Sequence, residues 1–240
     1  MEESPSLFER MIGRSRPVWV TLLASTLLLA LPFAAVLLDG ALGEMLQEGQ
    51  WRVLLLPSVI IIYIILVSPL MMHMGEQVLE ALRPLVQLDD DAFDNMVRKA
   101  AHINPVHELL VFGAGFALGI LSATASSMDG GLTWLRIYWL LAMGLMYAIL
   151  GWTIYVSVIS TRVNAAIHRQ PLQFDILDPT PFEAVGRQSL LLALVFVGGI
   201  TLSLLLSFQI ENMTTPAFWL INLLLVLLVV LIFFLNMRPT

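Results

Sequence analysis

Six stretches of this chain, each 19 to 23 residues long, contain no Asp, Glu, Lys, Arg or His: 18–38, 53–72, 109–128, 137–159, 190–208 and 218–236. Nothing else in the sequence narrows the fold so far. Crossing about 30 Å of hydrocarbon takes roughly 20 apolar residues in a helix. Within lipid, the backbone polar groups must then be satisfied inside the segment itself. A membrane β-barrel would alternate apolar and polar residues over about ten positions. The run Leu223-Leu224-Leu225-Val226-Leu227-Leu228 does not alternate. The sequence therefore predicts an all-α polytopic membrane protein. Its six-transmembrane-helix bundle forms a single domain over 1–240, with short amphipathic cytoplasmic helices.

Composition agrees. Hydrophobic residues make up 58% of the chain and charged residues 12%, against about 25% charge in an ordinary soluble domain. That balance excludes a soluble enzyme, a nucleic-acid binder and a disordered chain. With no cysteine, disulfides, thiolate metal sites and cysteine nucleophiles are excluded as well. Arg10, Arg14 and Arg16 precede the first stretch, and Ala41-Leu42-Gly43 resembles a signal-peptidase site. The first apolar core is nevertheless 21 residues long, beyond the 7–15 of a signal h-region, so a retained signal anchor is expected.

Helix starts are marked by proline at Pro17, Pro105, Pro181 and Pro216, since a first helical position needs no N–H. Asn104, Thr180 and Thr215 stand before three of them as N-cap candidates. Thr180-Pro181-Phe182-Glu183 fits a capping box, with Glu183 reaching back to an orphan amide. Kinks are expected at Pro32, Pro57 and Pro69. With the N-terminus inside, ten of the twelve basic residues fall in cytoplasmic segments, and Arg14 and Arg16 abut the first span. Trp51, Trp134, Trp139 and Trp219 would form an aromatic belt at the outer face, with Trp19 at the inner one. The expected location is the plasma or inner membrane, multi-pass, with both termini cytoplasmic.

Charge-free spans argue against a proton relay, a voltage sensor or a retinal lysine, because intramembrane ionisable groups mark such functions. All four histidines (His73, His102, His107 and His168) lie near the cytoplasmic face. His73, His107 and Glu108 are the weak candidates for a metal site, imidazole and carboxylate suiting zinc or manganese; their spacing matches no defined ligand motif. No catalytic residue and no cofactor are assigned. The first cytoplasmic segment reads as two amphipathic helices, one over 76–86 and one after Asp89 that groups Phe93, Met96, Val97 and Ala100. Both are expected on the lipid headgroups, with docking of a soluble partner as the alternative. The second segment, 170–181, has three prolines and reads as an irregular crossing.

Ala101-His102-Ile103-Asn104-Pro105-Val106 resembles the first pore motif of aquaporins, which also have six spans and cytoplasmic termini. That resemblance implies a half-helix led by Asn104 at a pore for a small neutral solute. The chain departs from the pattern in its second half, where Glu211-Asn212-Met213-Thr214-Thr215-Pro216-Ala217 lacks a second Asn-Pro-Ala and its arginine. An N-cap at Asn104 and a first helical position at Pro105 account for the same residues.

Gly115, Gly119, Ser122 and Ser126 line one face of the third span and contain Gly-x-x-x-Gly, a pattern that lets backbones approach closely. Gly198, Gly199, Ser203 and Ser207 in the fifth span, and Gly144 and Gly151 in the fourth, are small as well; packing within the bundle is expected, with oligomerisation or a narrow pore lining as the alternatives. Asn222 is the one amide well inside a span, expected to bond a neighbouring helix. The expected partners are the lipid bilayer and either a second copy or the subunits of a membrane complex; nucleic acid is not among them. The function read from these features is a non-enzymatic transport or channel component, or an accessory subunit of a membrane complex. A sensory or scaffold protein acting through its cytoplasmic loops is the alternative, and a small neutral-solute channel the third. A conduit should set small and hydroxyl residues along a common path. A scaffold should have a packed centre with its polar groups paired.

Overall fold

The computed structural model describes residues 18–43, 51–125, 133–170 and 180–207, with single positions at 223 and 227. Among these the chain is helical: α1 (Val18–Leu38), α2 (Trp51–Leu82), a 3-10 turn (Arg83–Leu85), α3 (Asp90–Ala100), α4 (Pro105–Ala125), α5 (Trp134–His168) and α6 (Thr180–Ser207). Five helices are long and apolar enough to cross a membrane. The sixth apolar stretch, 218–236, falls outside the described residues except for two positions, as does most of the crossing at 170–181.

Two helices run further than their apolar windows. α2 spans 32 residues and α5 spans 35, or about 50 Å each at 1.5 Å per residue. The separate helix expected over 76–86 is thus the last two turns of α2. Glu76 to Leu82 is rich in good helix formers, and no break arrives until Pro84 disfavours helical geometry at Arg83.

Helix ends carry their own chemistry. α1 closes at Gly40, whose φ of +69° suits the one residue without a Cβ. Ala41 N donates to Val36 O at 3.1 Å and Gly40 N to Leu37 O at 3.1 Å, the paired bonds of a Schellman ending. This ending aims Asp39 at the start of α5. There its carboxylate accepts from Trp134 N at 3.1 Å and Leu135 N at 2.8 Å. Thr133, the cap in sequence, accepts from Arg136 N at 3.2 Å. α1 therefore supplies half of the cap on α5 from 95 residues away. Replacing Asp39 with Ala should lower stability by about 1–2 kcal/mol, with Asp39→Asn recovering part of it. Thermal midpoints in detergent measure this, and an unchanged midpoint for the alanine variant would refute the cap.

The first core lies between α1, α2 and α5, around Val36, Leu54, Ile60, Ile61, Ile64, Trp139 and Met143. Trp139 belongs to it. At 7% exposure it is a core residue and not part of an outer belt, whereas Trp134 and Trp19 are exposed. A polar knot crosses this core. Pro32 has no N–H to give Leu28 O, and Ser58 supplies the missing donor at 2.8 Å. Ser58 Oγ also lies 3.0 Å from the Tyr138 hydroxyl, which in turn reaches Leu54 O at 3.1 Å. Three helices are tied by groups that would otherwise be buried unpaired.

α4 packs mainly on α5. A Cβ on Gly115 would stand 2.6 Å from Tyr147 O, and one on Gly119 2.7 Å from the Gly144 Cα. Gly144 in turn receives the Phe116 ring, and Gly151 faces Val111. Backbone meets backbone here, which only glycine permits. On the other side, α2 and α6 meet where the Tyr63 hydroxyl donates to Val195 O at 2.7 Å. The ring lies over Gly198 and Gly199.

A second core forms beyond the first, where the extensions of α2 and α5 meet α3. It comprises Val78, Leu82, Val86, Phe93, Val163 and Ile167. Asp89 caps α3 by accepting from Ala92 N at 3.2 Å. Asp90 and Asp91 occupy its first turn, and Arg98 and Lys99 its last, as the helix dipole favours. Arg83 fastens the approach: its guanidinium lies 4.6 Å over the Phe93 ring, bonds Leu88 O at 3.2 Å and pairs with Asp90. The apolar side of α3 is thus covered by protein. Periodicity shows an apolar stripe without showing what covers it, and here the cover is the second core in place of the expected headgroups.

Candidate functional site

α4 starts at the motif flagged in the sequence. Asn104 Oδ1 accepts from Val106 N at 3.0 Å, and Glu108 N donates to Asn104 O at 3.0 Å. From Pro105 the helix runs unbroken to Ala125, with no half-helix as the aquaporin resemblance implies. One turn in, Glu108 is buried at 5% exposure, and its Oε1 accepts from Trp152 Nε1 at 3.0 Å. His107 and His102 point outward. His73 lies mid-helix in α2 and is exposed, with its ring 3.0 Å from Gln77 Nε2 and 3.9 Å from Glu76. Among the described residues no three His, Asp or Glu side chains gather as metal ligands. Of the three weak candidates, Glu108 is turned inward to an indole, while His73 and His107 are exposed.

α6 is described from Thr180 onward, and Glu183 accepts from Arg187 one turn on; the cap itself falls on residues outside the described set. The side chains of Thr180 and Pro181 are outside the described set. Gly115 and Gly119 are consumed by contact with α5. Ser122 is half-buried on the same helix, and Ser126 is outside the described residues.

Trp152 also walls a cavity of about 150 Å³ between α2, α5 and α6. α2 contributes Ser68 and the segment Met71 to Gly75 except His73; α5 contributes Trp152, Thr153, Val156, Ser157 and Ser160; α6 contributes Gln188, Ser189, Leu191 and Leu192. None of these side chains is an acid, a base or a histidine. Its hydroxyls follow helical spacing. Ser68 donates to Ile64 O at 2.7 Å, Thr153 to Ile149 O at 2.9 Å and Ser157 to Thr153 O at 2.9 Å. Gln188 Oε1 accepts from Asn164 Nδ2 at 3.3 Å, and Gln188 Nε2 reaches Ser160 Oγ at 3.5 Å. The site is built for neutral contact and holds no nucleophile–base pair.

Sequence reasoning passed over this place. The available signal was Ser68 together with the i, i+4 hydroxyls Thr153 and Ser157 and the following Ser160. In an apolar helix such hydroxyls are equally compatible with back-bonding to their own carbonyls, so they did not stand out. Compared with known protein families, curated proteins and solved structures, the chain matches none.

Proposed function

We propose that the chain is an integral membrane protein with six spans and cytoplasmic termini that serves as a non-enzymatic accessory subunit of a membrane complex. What supports the membrane setting is the apolar exterior. Leu22, Leu23 and Leu27 on α1, Leu109, Leu110, Leu118 and Leu121 on α4, and Leu190, Leu194 and Leu205 on α6 are each more than half exposed. A water-soluble monomer rarely exposes so many large apolar side chains on its helices; acyl chains accept them. The N-terminal basic residues before α1 support the orientation.

The observation that favours a subunit over a conduit is the packed centre. Glycines that might have lined a path are closed against α5 and Tyr63, and the Ser58–Tyr138 knot brings the two hydroxyls of that core together; the indole N–H of Trp139 stays buried there. A conduit needs hydroxyls left open along an axis through the bundle, whereas those of Ser68, Thr153 and Ser157 line a local cavity and donate to their own helices.

Two measurements test this reading. The chain lacks cysteine, so single cysteines at Gly43 and Gln87, both exposed, give an unambiguous topology. They should label from opposite sides of sealed vesicles; labelling of both from one side would overturn the arrangement. Reconstituted vesicles should also show no ion or solute flux above the lipid background. A saturable flux would replace the subunit reading with a transporter.

A further inference from the structure

We propose that the cavity between α2, α5 and α6 binds a small neutral molecule of about benzene size that carries a hydroxyl or amide hydrogen-bond donor. The inference goes beyond the subunit reading and rests on helix packing alone. Size comes first: about 150 Å³ is the volume at which an engineered apolar cavity accepts benzene. Charge comes second. The lining has no ionisable side chain, so an ion entering would lose its hydration with no partner.

Hydrogen-bond polarity then selects among neutral molecules. A hydroxyl has one proton to donate and two lone pairs to accept with. Ser68, Thr153 and Ser157 each spend that proton on a carbonyl of their own helix. What they retain is acceptor capacity. Gln188 is engaged at both ends, by Asn164 and Ser160. The Ser160 and Ser189 hydroxyls and the second N–H of Gln188 remain as donors, but the lone pairs of the wall outnumber them, so it suits an alcohol or an amide N–H better than a hydrocarbon. Met71, Met72 and Met74 supply the apolar remainder, with side chains flexible enough to close on different shapes.

The test uses a single thiol in the full chain, purified into lipid nanodiscs. Gly75→Cys places it on the cavity wall, where an added Cβ meets nothing nearer than Gln188 Nε2 at 3.8 Å. Labelling by methyl methanethiosulfonate is timed in the presence of cyclohexanol, methylcyclohexane or cyclohexylammonium, with Gly43→Cys as the control for partitioning into lipid. Cyclohexanol should protect Gly75→Cys at a concentration about fivefold below that of methylcyclohexane, the ratio expected for one net hydrogen bond. Cyclohexylammonium should not protect, and Gly43→Cys should be indifferent to all three. Adding Thr153→Val with Ser157→Ala, which keeps the volume and orphans no buried group, should erase the preference for the alcohol. Protection by neither neutral compound would mean that the cavity holds water only and would overturn the proposal. Equal protection by both, or an alcohol preference that survives the double substitution, would overturn it equally.

Discussion

Gly119→Leu should cost the bundle more than about 3 kcal/mol, the upper end of what overpacking a close-packed interior brings. At this position a single methyl already collides, since its carbon would stand 2.7 Å from the Gly144 Cα and nearer still to Met143 O. Both obstacles are backbone, so neither can swing aside as a side chain would. Among the described residues α4 has α5 as its main packing partner, and separating them removes that contact. Gly113→Leu is the matched control. It lies on another face of the same helix, and nothing stands within 4 Å of its added Cβ. In detergent the Gly119 variant should lose its cooperative thermal transition or show it many degrees lower, while the Gly113 variant keeps it. Equal midpoints for the two would show that α4 does not meet α5 through this face.

Phe93→Ala should release α3. Truncating a buried phenylalanine costs about 3–5 kcal/mol, and Phe93 is the buried residue of an eleven-residue helix. It also carries the Arg83 guanidinium on its ring, a contact worth about 0.5–1 kcal/mol where partly exposed. A helix of that length is marginal in water by itself, so it should open locally once this anchor is gone. Protease cleavage and hydrogen exchange across residues 90–100 should rise steeply. The first core, built from other residues around Ile60 and Trp139, should keep its thermal midpoint. Unchanged exchange across α3 would mean that the second core does not depend on Phe93, whereas a fall in the main midpoint would show the two cores to be one cooperative unit.

How much of this was legible in advance differs by kind of interaction. The windows at 18–38 and 109–128 lie within or over α1 and α4 because a charge-free run of that length has one stable backbone solution. The caps on α3 and α4 are local, set by Asp89 and Asn104 within three residues of the amides they satisfy. Helix ends were less legible at α2 and α5, where polar residues such as Glu76 and Arg162 continue the helix after the apolar window stops. Hydropathy reports what a segment dissolves in; where the hydrogen-bonded ladder breaks is decided by Pro84 and its like.

By itself, then, the sequence determined the number and type of long apolar helices over the described residues, and the local chemistry of several ends. Pro32 shows in the sequence that Leu28 O must lose its donor; that Ser58 supplies it, 30 residues on, follows only from which helices are neighbours. Tertiary structure likewise decided that Asp39 caps α5, that Gly119 faces Gly144, that Glu108 turns to Trp152, and that an uncharged cavity opens beside that indole. Each of these joins groups on different helices. Periodicity fixes which side of a helix is apolar or small, but it is the same for every partner and every angle of approach. The choice among partners is made by close packing and by pairing the last buried polar groups, and both are properties of the assembled bundle.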